Sequence, residues 1–277
     1  MVAGFKAERA FEAISFEHLR RHWTTSSEPF VAISGVSVDL FSAYCEDDED
    51  APVALRFVDL VDGDTYITGY ASSTHEAVID RFKSAFLRAT GDGDEVATRG
   101  SFTASRGRGI KKKQADATFG PLRQPPNRVE PPPVDEGPQR VLLDVGDWVT
   151  LAVEVGHYET WNGLEVAGNW WSHYVGVKYV LLMQVNAAAT QLAYQLYEIS
   201  QVGSLPPASR RGSMTLDNIA DAKCPTLRFD TRVLLVIPPG EPLPANMNDY
   251  CYVNLLRVLE IARRILYQPA QRLVYER

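Results

Sequence analysis

Long apolar runs are missing. No stretch of the 277-residue chain approaches the roughly 18 to 20 uninterrupted apolar residues that a membrane span needs. Charges interrupt "MVAGFKAERAFEAI" where a signal peptide would carry its apolar core. An intracellular protein, cytoplasmic or nuclear, with no membrane partner is therefore expected. Cysteine is scarce. Cys45, Cys224 and Cys251 are far apart, odd in number and in no metal-ligand spacing. That argues against a disulfide framework or a cysteine-held zinc and predicts reduced, structural thiols. Positive charge is in deficit, with 28 Lys and Arg against 35 Asp and Glu and a net charge of −7. The chain as a whole is not drawn to nucleic acid, although local patches act on their own.

What the chain has is a hydrophobic fraction of 45%, enough for one large domain or two small ones. Its charge is unevenly placed. "CEDDED" (45–50) reads as a solvated acidic loop. "RGRGIKKK" (106–113) holds five basic residues in eight. It reads either as an exposed turn or as a nucleic-acid or nuclear-import patch through Arg106, Arg108, Lys111, Lys112 and Lys113.

Periodicity predicts a helix over 5–23, strands over 29–44 and 51–60, and a hairpin over 62–71 turning at Asp62-Gly63. "STHEAVIDRFKSAFLRAT" (73–90) predicts an amphipathic helix capped by Ser73 or Thr74, with Ala77, Val78, Phe82, Ala85 and Phe86 as its stripe. A short strand is expected within 96–104 and another around Asp116. Seven prolines in 120–138 predict a loop crossing the surface inside one domain, 1–277. A strand (148–156), helix (160–174) and strand (176–185) follow. Further on come a strand at 191–200, a loop at 204–218, a strand at 227–239 and a helix at 254–266. The runs at 148–156 and 176–185 are continuously apolar, as in strands buried on both faces, and the helix between them suits a right-handed crossover between parallel strands. The expected fold is α/β, a mixed central sheet with helices on both faces.

One residue breaks the apolar run. Side chains alternate along a strand, so Leu151, Val153 and Val155 share one face while Ala152, Glu154 and Gly156 share the other. A buried carboxylate needs a cation, a proton or hydrogen-bond donors. Glu154 is therefore either half of a structural ion pair or part of a site. Asp116, at a strand end just before the proline-rich loop, is a second acid. Acids gathered at the ends of neighbouring central strands are suited to Mg2+, which takes oxygen ligands, one or two of them protein carboxylates, and keeps waters. Such a site activates water and stabilises charge on a phosphate being cleaved.

The order of "VATRGSFTAS", "KKKQADATFGP", the proline-rich loop, "LAVEVGHYET", a helix ending "NWW", "GVKYVLLMQV" and "LAYQLYEIS" resembles the PD-(D/E)XK nuclease superfamily, within it the fungal restriction-endonuclease-like proteins. The resemblance covers roughly 73–200. It implies a restriction-endonuclease-like core, a Mg2+-dependent endonuclease activity (Mn2+ as an alternative), and Asp116 and Glu154 as metal ligands. It departs from the pattern in two places. Ala115 precedes the motif Asp where the family has Pro, and Gly156 stands where the motif Lys belongs, two residues after Glu154. That Lys orients the attacking water or stabilises developing charge. Its absence predicts weak or undetectable cleavage, or a catalytically inactive nuclease fold used for binding or regulation.

Candidates for the lost function are Gln184, near the end of its strand at about the level of Glu154, and Lys113, which reaches the acids only if the strand ends before Asp116. Lys178 should sit at the wrong end of its strand. Glu159 is a candidate third metal ligand. His157 is a candidate base or ligand, or an ordinary loop histidine. Asp144 and Asp147 suit a turn better than a site, and Trp170 and Trp171 suit helix packing better than base stacking.

Overall fold

The computed structural model describes residues 16–26, 28–41, 55–69, 72–91, 93–100, 102–106, 110–122, 134–136, 139–141, 148–157, 159–217 and 225–267. Cys45, Cys224, Arg108, Asp144, Asp147 and the start of the expected first helix lie outside them. Among the described residues, no helix is long and apolar enough to cross a membrane.

The described residues open with helix α1 (Phe16–Thr25) and strand β1 (Phe30–Ser34). A 3-10 turn (Leu55–Phe57) leads into β2 (Val58–Val61) and β3 (Asp64–Ile67). The strands expected at 29–44 and 51–60 are thus shorter. The first stops at Gly35, whose φ of +78° leaves the extended region. The second is preceded by the 3-10 turn. The hairpin at Asp62-Gly63 forms, with φ of 51° and 83°, and Val61 faces Asp64 across it. Strands β1, β3 and β2 make a small sheet over a cluster that includes Leu19, Trp23, Phe41 and Ile67.

Helix α2 (Ser73–Ala89) follows. Its cap is Ser72, one residue earlier than expected, whose hydroxyl accepts from the His75 N–H at 3.1 Å. Then come β4 (Val96–Thr98), β5 (Thr103–Ala104), β6 (Lys113–Gln114), β7 (Ala117–Pro121), β8 (Val134–Glu136) and β9 (Gln139–Val141). Strands β8 and β9 pair with each other, so the far end of the proline-rich stretch carries half a hairpin where unbroken loop was expected. Residues 123–133 are outside the described set. Strand β10 (Leu151–Gly156), helix α3 (Trp161–Ser172) and β11 (Tyr179–Val185) form the expected unit, with β10 and β11 parallel.

The remaining elements are β12 (Gln191–Glu198), β13 (Arg210–Thr215), β14 (Thr226–Asp230), α4 (Thr231–Leu235), β15 (Tyr250–Asn254) and α5 (Leu255–Tyr267). Two expectations are corrected here. Within the loop expected at 204–218, "RRGSMT" is an edge strand; only Met214 in it is buried, which hides the period-two signal. The apolar run "TRVLLV", read as strand, is one helical turn capped by Asp230 and closed by Val236 at φ 56°. Strand β15, unexpected from the sequence, pairs with β14.

The central sheet runs β13-β12-β11-β10-β7-β4, with β10/β11 its one parallel pair. One face carries Leu151, Val153 and Val155 and is covered by Val78, Phe82 and Phe86 of α2 and Val258 and Leu259 of α5. The other carries Ala152, Val180 and Leu182 and is covered by Leu164, Trp170 and Trp171 of α3. This is a mixed α/β fold with helices on both faces, and both neighbours of β10 are central strands.

Strand β7 comes very close to the chain entering β10. A Cβ added at Gly120 would lie 1.7 Å from the carbonyl oxygen of Trp148, a backbone atom. Gly120→Ala is therefore expected to force the strands apart and lower stability by about 1–3 kcal/mol or more. Thermal unfolding checks this; an unchanged midpoint would contradict the close approach.

Candidate active site

Strand β7 pairs with β10 from Phe119↔Leu151 to Ala117↔Val153 and stops there. The chain bends at Asp116, and the ladder continues through a side chain: Val155 N–H donates to Asp116 Oδ2 at 2.7 Å. Asp116 is buried. Its other oxygen, Oδ1, faces His75 Nε2 at 3.0 Å and Arg56 Nε at 3.7 Å. Two protein cations therefore already sit against this buried oxygen. Glu76 completes the group, meeting Arg56 Nη2 at 2.6 Å and His75 Nδ1 at 3.1 Å.

Glu154 is buried one strand over, with its side chain under α3. Trp171 Nε1 donates to Glu154 Oε1 at 2.7 Å. Lys113 Nζ lies 3.8 Å from the same oxygen, and Lys113 is itself buried. The strand does end before Asp116, and this lets Lys113 reach: β6 stops at Gln114, and the bend at 115–116 turns the chain. Nearby, Lys111 pairs with Asp59, which is also buried.

These contacts set the charge states. Burial works against ionised Asp116, but His75, the Val155 N–H and Arg56 hold its carboxyl below the usual range. Burial alone would pull His75 down; Asp116 and Glu76 outweigh it and push the imidazole up to about 9. Burial pushes Glu154 up to about 7 against the pull of Lys113 and Trp171. Lys113 is raised, because Glu154, Asp59, Glu159 and Asp116 together outweigh its desolvation. Glu159 goes up to about 8, mainly through burial. His157 is pulled down to about 4 by burial and by His75.

The other candidates fall as follows. Gln184 stands opposite Gly156, two residues beyond Glu154, and its amide donates to the Glu159 carbonyl at 2.9 Å. Glu159 folds back over the first turn of α3, where its Oε1 occupies space left by Gly163. His157 Nδ1 bonds Ser72 Oγ at 2.8 Å, tying the strand end to the cap of α2. Lys178 sits at the start of β11, its N–H bonded to Thr150, four residues from the partner of Glu154. That is roughly 13 Å away at 3.3 Å per residue.

Of the basic patch, Lys113 is buried, Lys111 is held by Asp59, and Arg106 lies over the Trp170 ring at 5.3 Å and bonds its carbonyl. Three of the five basic side chains are thus engaged within the fold. Trp170 and Trp171 pack from α3 onto the sheet, and Trp171 also orients Glu154. Sequence reasoning missed His75, Glu76, Arg56 and Asp59. The first two were legible in principle: a cap at Ser72 puts both in the first turn of α2.

Gly156 has a packing reason. A Cβ there would meet Leu164 Cδ1 at 3.0 Å and Glu159 Cβ at 3.4 Å. Gly156→Ala is expected to cost about 1–3 kcal/mol and Gly156→Lys more, with Leu164→Ala recovering part of either loss. Chemical denaturation of the single and double variants checks it.

No family model matches the chain. No curated protein matches it either. Among solved structures it is similar to a protein from Anabaena variabilis ATCC 29413 described as a "putative nuclease belonging to DUF820". The TM-score is 0.45 and the identity 9%, over 82% of this chain and 99% of that one. A likeness at this level assigns neither family nor activity.

Whether the residues suit a divalent ion turns on their free oxygens. Among the described residues, no three His, Cys, Asp or Glu side chains are grouped as metal ligands. Mg2+ needs only one or two protein carboxylates and completes its shell with water. Asp116 Oδ1 is buried with His75 and Arg56 against it, and Glu154, on the adjacent strand, has Trp171 and Lys113 against its Oε1. These residues offer a divalent ion at most one or two carboxylates, with water to complete its shell, and no all-protein cage.

Proposed function

We propose that the chain is a nuclease of the PD-(D/E)XK type, hydrolysing phosphodiester bonds of nucleic acid with Mg2+ or Mn2+ held at Asp116 and Glu154. The observation that carries this reading is Lys113, whose ammonium lies 3.8 Å from Glu154 Oε1 and so offers the cation that Gly156 cannot. The ion, when bound, polarises the phosphoryl group and lowers the pKa of a water. Lys113 stabilises the negative charge that develops on the phosphate. Trp171 fixes the rotamer of Glu154, while His75 and Arg56 keep Asp116 ionised. Gln184 secures the turn that carries Glu159, a further oxygen ligand within the same charge cluster. Nucleic acid is the proposed partner, with Arg106, Arg108 and Lys112 in the segment that delivers Lys113.

A second reading is a nuclease fold without catalysis, serving binding or regulation. Gly156 at the motif position favours it, as does Asp116 already facing two protein cations. Cleavage of mixed DNA and RNA substrates with Mg2+ or Mn2+ separates the two. Turnover by the unmodified chain, abolished in Glu154→Ala, is expected; no turnover under either ion would leave the second reading standing.

A further inference from the structure

The candidate site is closed to a substrate in this structure. Asp116, Glu154 and Lys113 are only 6%, 4% and 7% exposed. The cavity at the end of β10 measures about 10 Å3, room for about one water and far too little for a phosphodiester. Its lining comes from two parts of the fold. His75, Gly156 and Glu159 belong to the core, while Phe57, Thr68 and Gly69 belong to the small N-terminal sheet and its flanks.

The segment 55–69 holds the 3-10 turn, β2, β3 and the two residues after β3. From the turn, Arg56 reaches over the site. Its Nε lies 3.7 Å from Asp116 Oδ1 and its Nη2 lies 2.6 Å from Glu76 Oε1. Next to it, Phe57 sets its ring edge-on against His75, with centroids 5.2 Å apart. From β2, Asp59 pairs with Lys111, two residues before Lys113.

This seam differs from the others around the central sheet. Helices α2 and α5 cover their face of the sheet with apolar side chains. The small sheet instead has an apolar cluster of its own, and no member of that cluster comes from α2 or the central sheet. It is tied to the core through the ion pairs of Arg56 and Asp59. A unit with its own core can part from its neighbour without unfolding. Ion pairs whose partners both gain water on parting resist this far less than an apolar seam would.

We propose that residues 55–69 form an autoinhibitory cover, with Arg56 clamped on Asp116, and that this segment lifts before a phosphodiester reaches Asp116 and Glu154. The proposal rests on the nuclease reading for what is inhibited, but the lifting itself can be measured without metal or turnover.

The test is carboxyl footprinting of the full chain in metal-free buffer, using a carbodiimide with glycine ethyl ester and mass spectrometry. In the unmodified chain Asp116 and Glu154 should label far more slowly than the exposed Glu17. Arg56→Gln and Asp59→Asn each remove a tie, and either should speed labelling of Glu154 about tenfold by shifting the closed population. The second variant serves if the first does not fold. Glu154 bonds neither residue, so its labelling reports lifting and not a local change. Hydrogen exchange in β10 and β11 should stay slow, which separates lifting from unfolding. Fast labelling of the unmodified chain, labelling unchanged in the folded variants, or labelling that rises only together with exchange in β10 and β11 overturns the proposal. With Mg2+ and mixed DNA and RNA substrates, at least one variant should cleave faster than the unmodified chain. Cleavage raised in neither variant overturns the inhibitory cover and spares the nuclease reading; faster labelling with no cleavage by any form sinks the nuclease reading and keeps the cover.

Discussion

Replacing Lys113 with methionine is expected to lower the rate of phosphodiester cleavage by about 10²-fold or more, the usual consequence of removing one charge-stabilising group from such a site. The expectation follows from position. Gly156 brings no side chain, Lys178 is four residues from the level of Glu154, and Lys111 is committed to Asp59. Among the described residues, Lys113 is the lysine paired with Glu154. Because Lys113 is buried, its removal also leaves Glu154 without its cation. Breaking a buried pair costs about 3–5 kcal/mol when the remaining charge stays ionised. Glu154 is already pushed up to about 7 by burial, so it can take a proton, and the loss should fall short of that range.

Activity and folding must therefore be read separately, with far-UV circular dichroism and a denaturation midpoint beside the rate. A folded Lys113→Met with undiminished turnover would remove Lys113 from the mechanism. The complementary variant restores the cation at the motif position: Lys113→Met with Gly156→Lys, and Leu164→Ala to make room for the new Cβ. Recovery of rate there would show that the site needs a cation and not Lys113 as such.

The fold was largely legible, and the reasons differ by element. Strands β10 and β11 are buried on both faces, so their sequence is nearly all apolar and their ends are marked by His157 and Gly176. The Asp62-Gly63 turn announces itself because two successive positive φ values suit few other dipeptides. Strand β13 was not legible, since an edge strand has one partner and buries only Met214. "TRVLLV" misled because one buried helical turn and one buried strand share an apolar run, and only the Asp230 cap distinguishes them.

The candidate site divides in the same way. Glu154 and Asp116 stand out because a carboxylate interrupting a core strand is costly. Arg56 and Asp59 do not, because what matters is the tertiary packing of the small sheet against the end of β7. Lys113 sits between: its sequence distance from Asp116 left its reach open, and the bend at 115–116 brings it to Glu154.

Stability is expected to be highest at mildly acidic pH and to fall as the pH rises toward 9. His75 carries the alkaline part of this dependence, between pH 6.5 and 9. Its folded pKa of about 9 lies above the unfolded 6.5, so the folded state holds a proton that the unfolded chain releases. Its contribution is complete below pH 6.5 and is lost as pH rises through 9. The interval corresponds to about 3 kcal/mol. Two carboxyls add with the same sign. Glu154 and Glu159, raised from 4.5 to about 7 and about 8, keep protons that the unfolded state gives up, so their contributions fade between pH 4.5 and those values. Two groups oppose them on the acid side. His157, lowered to about 4, favours the folded state more as pH rises from 4 to 6.5. Asp116, held below its ordinary value, loses its contribution only as pH falls through the carboxylate range. Between pH 4.5 and 6.5 the two raised carboxyls outweigh His157, so the maximum lies near pH 4.5, where their loss begins. Denaturant midpoints measured from pH 5 to 9.5 in metal-free buffer should trace that decline, and His75→Gln should flatten its upper half, above pH 6.5, while lowering stability at pH 6. A profile that rises toward pH 9, or one that keeps its slope in His75→Gln, would mean that His75 does not carry its proton against Asp116.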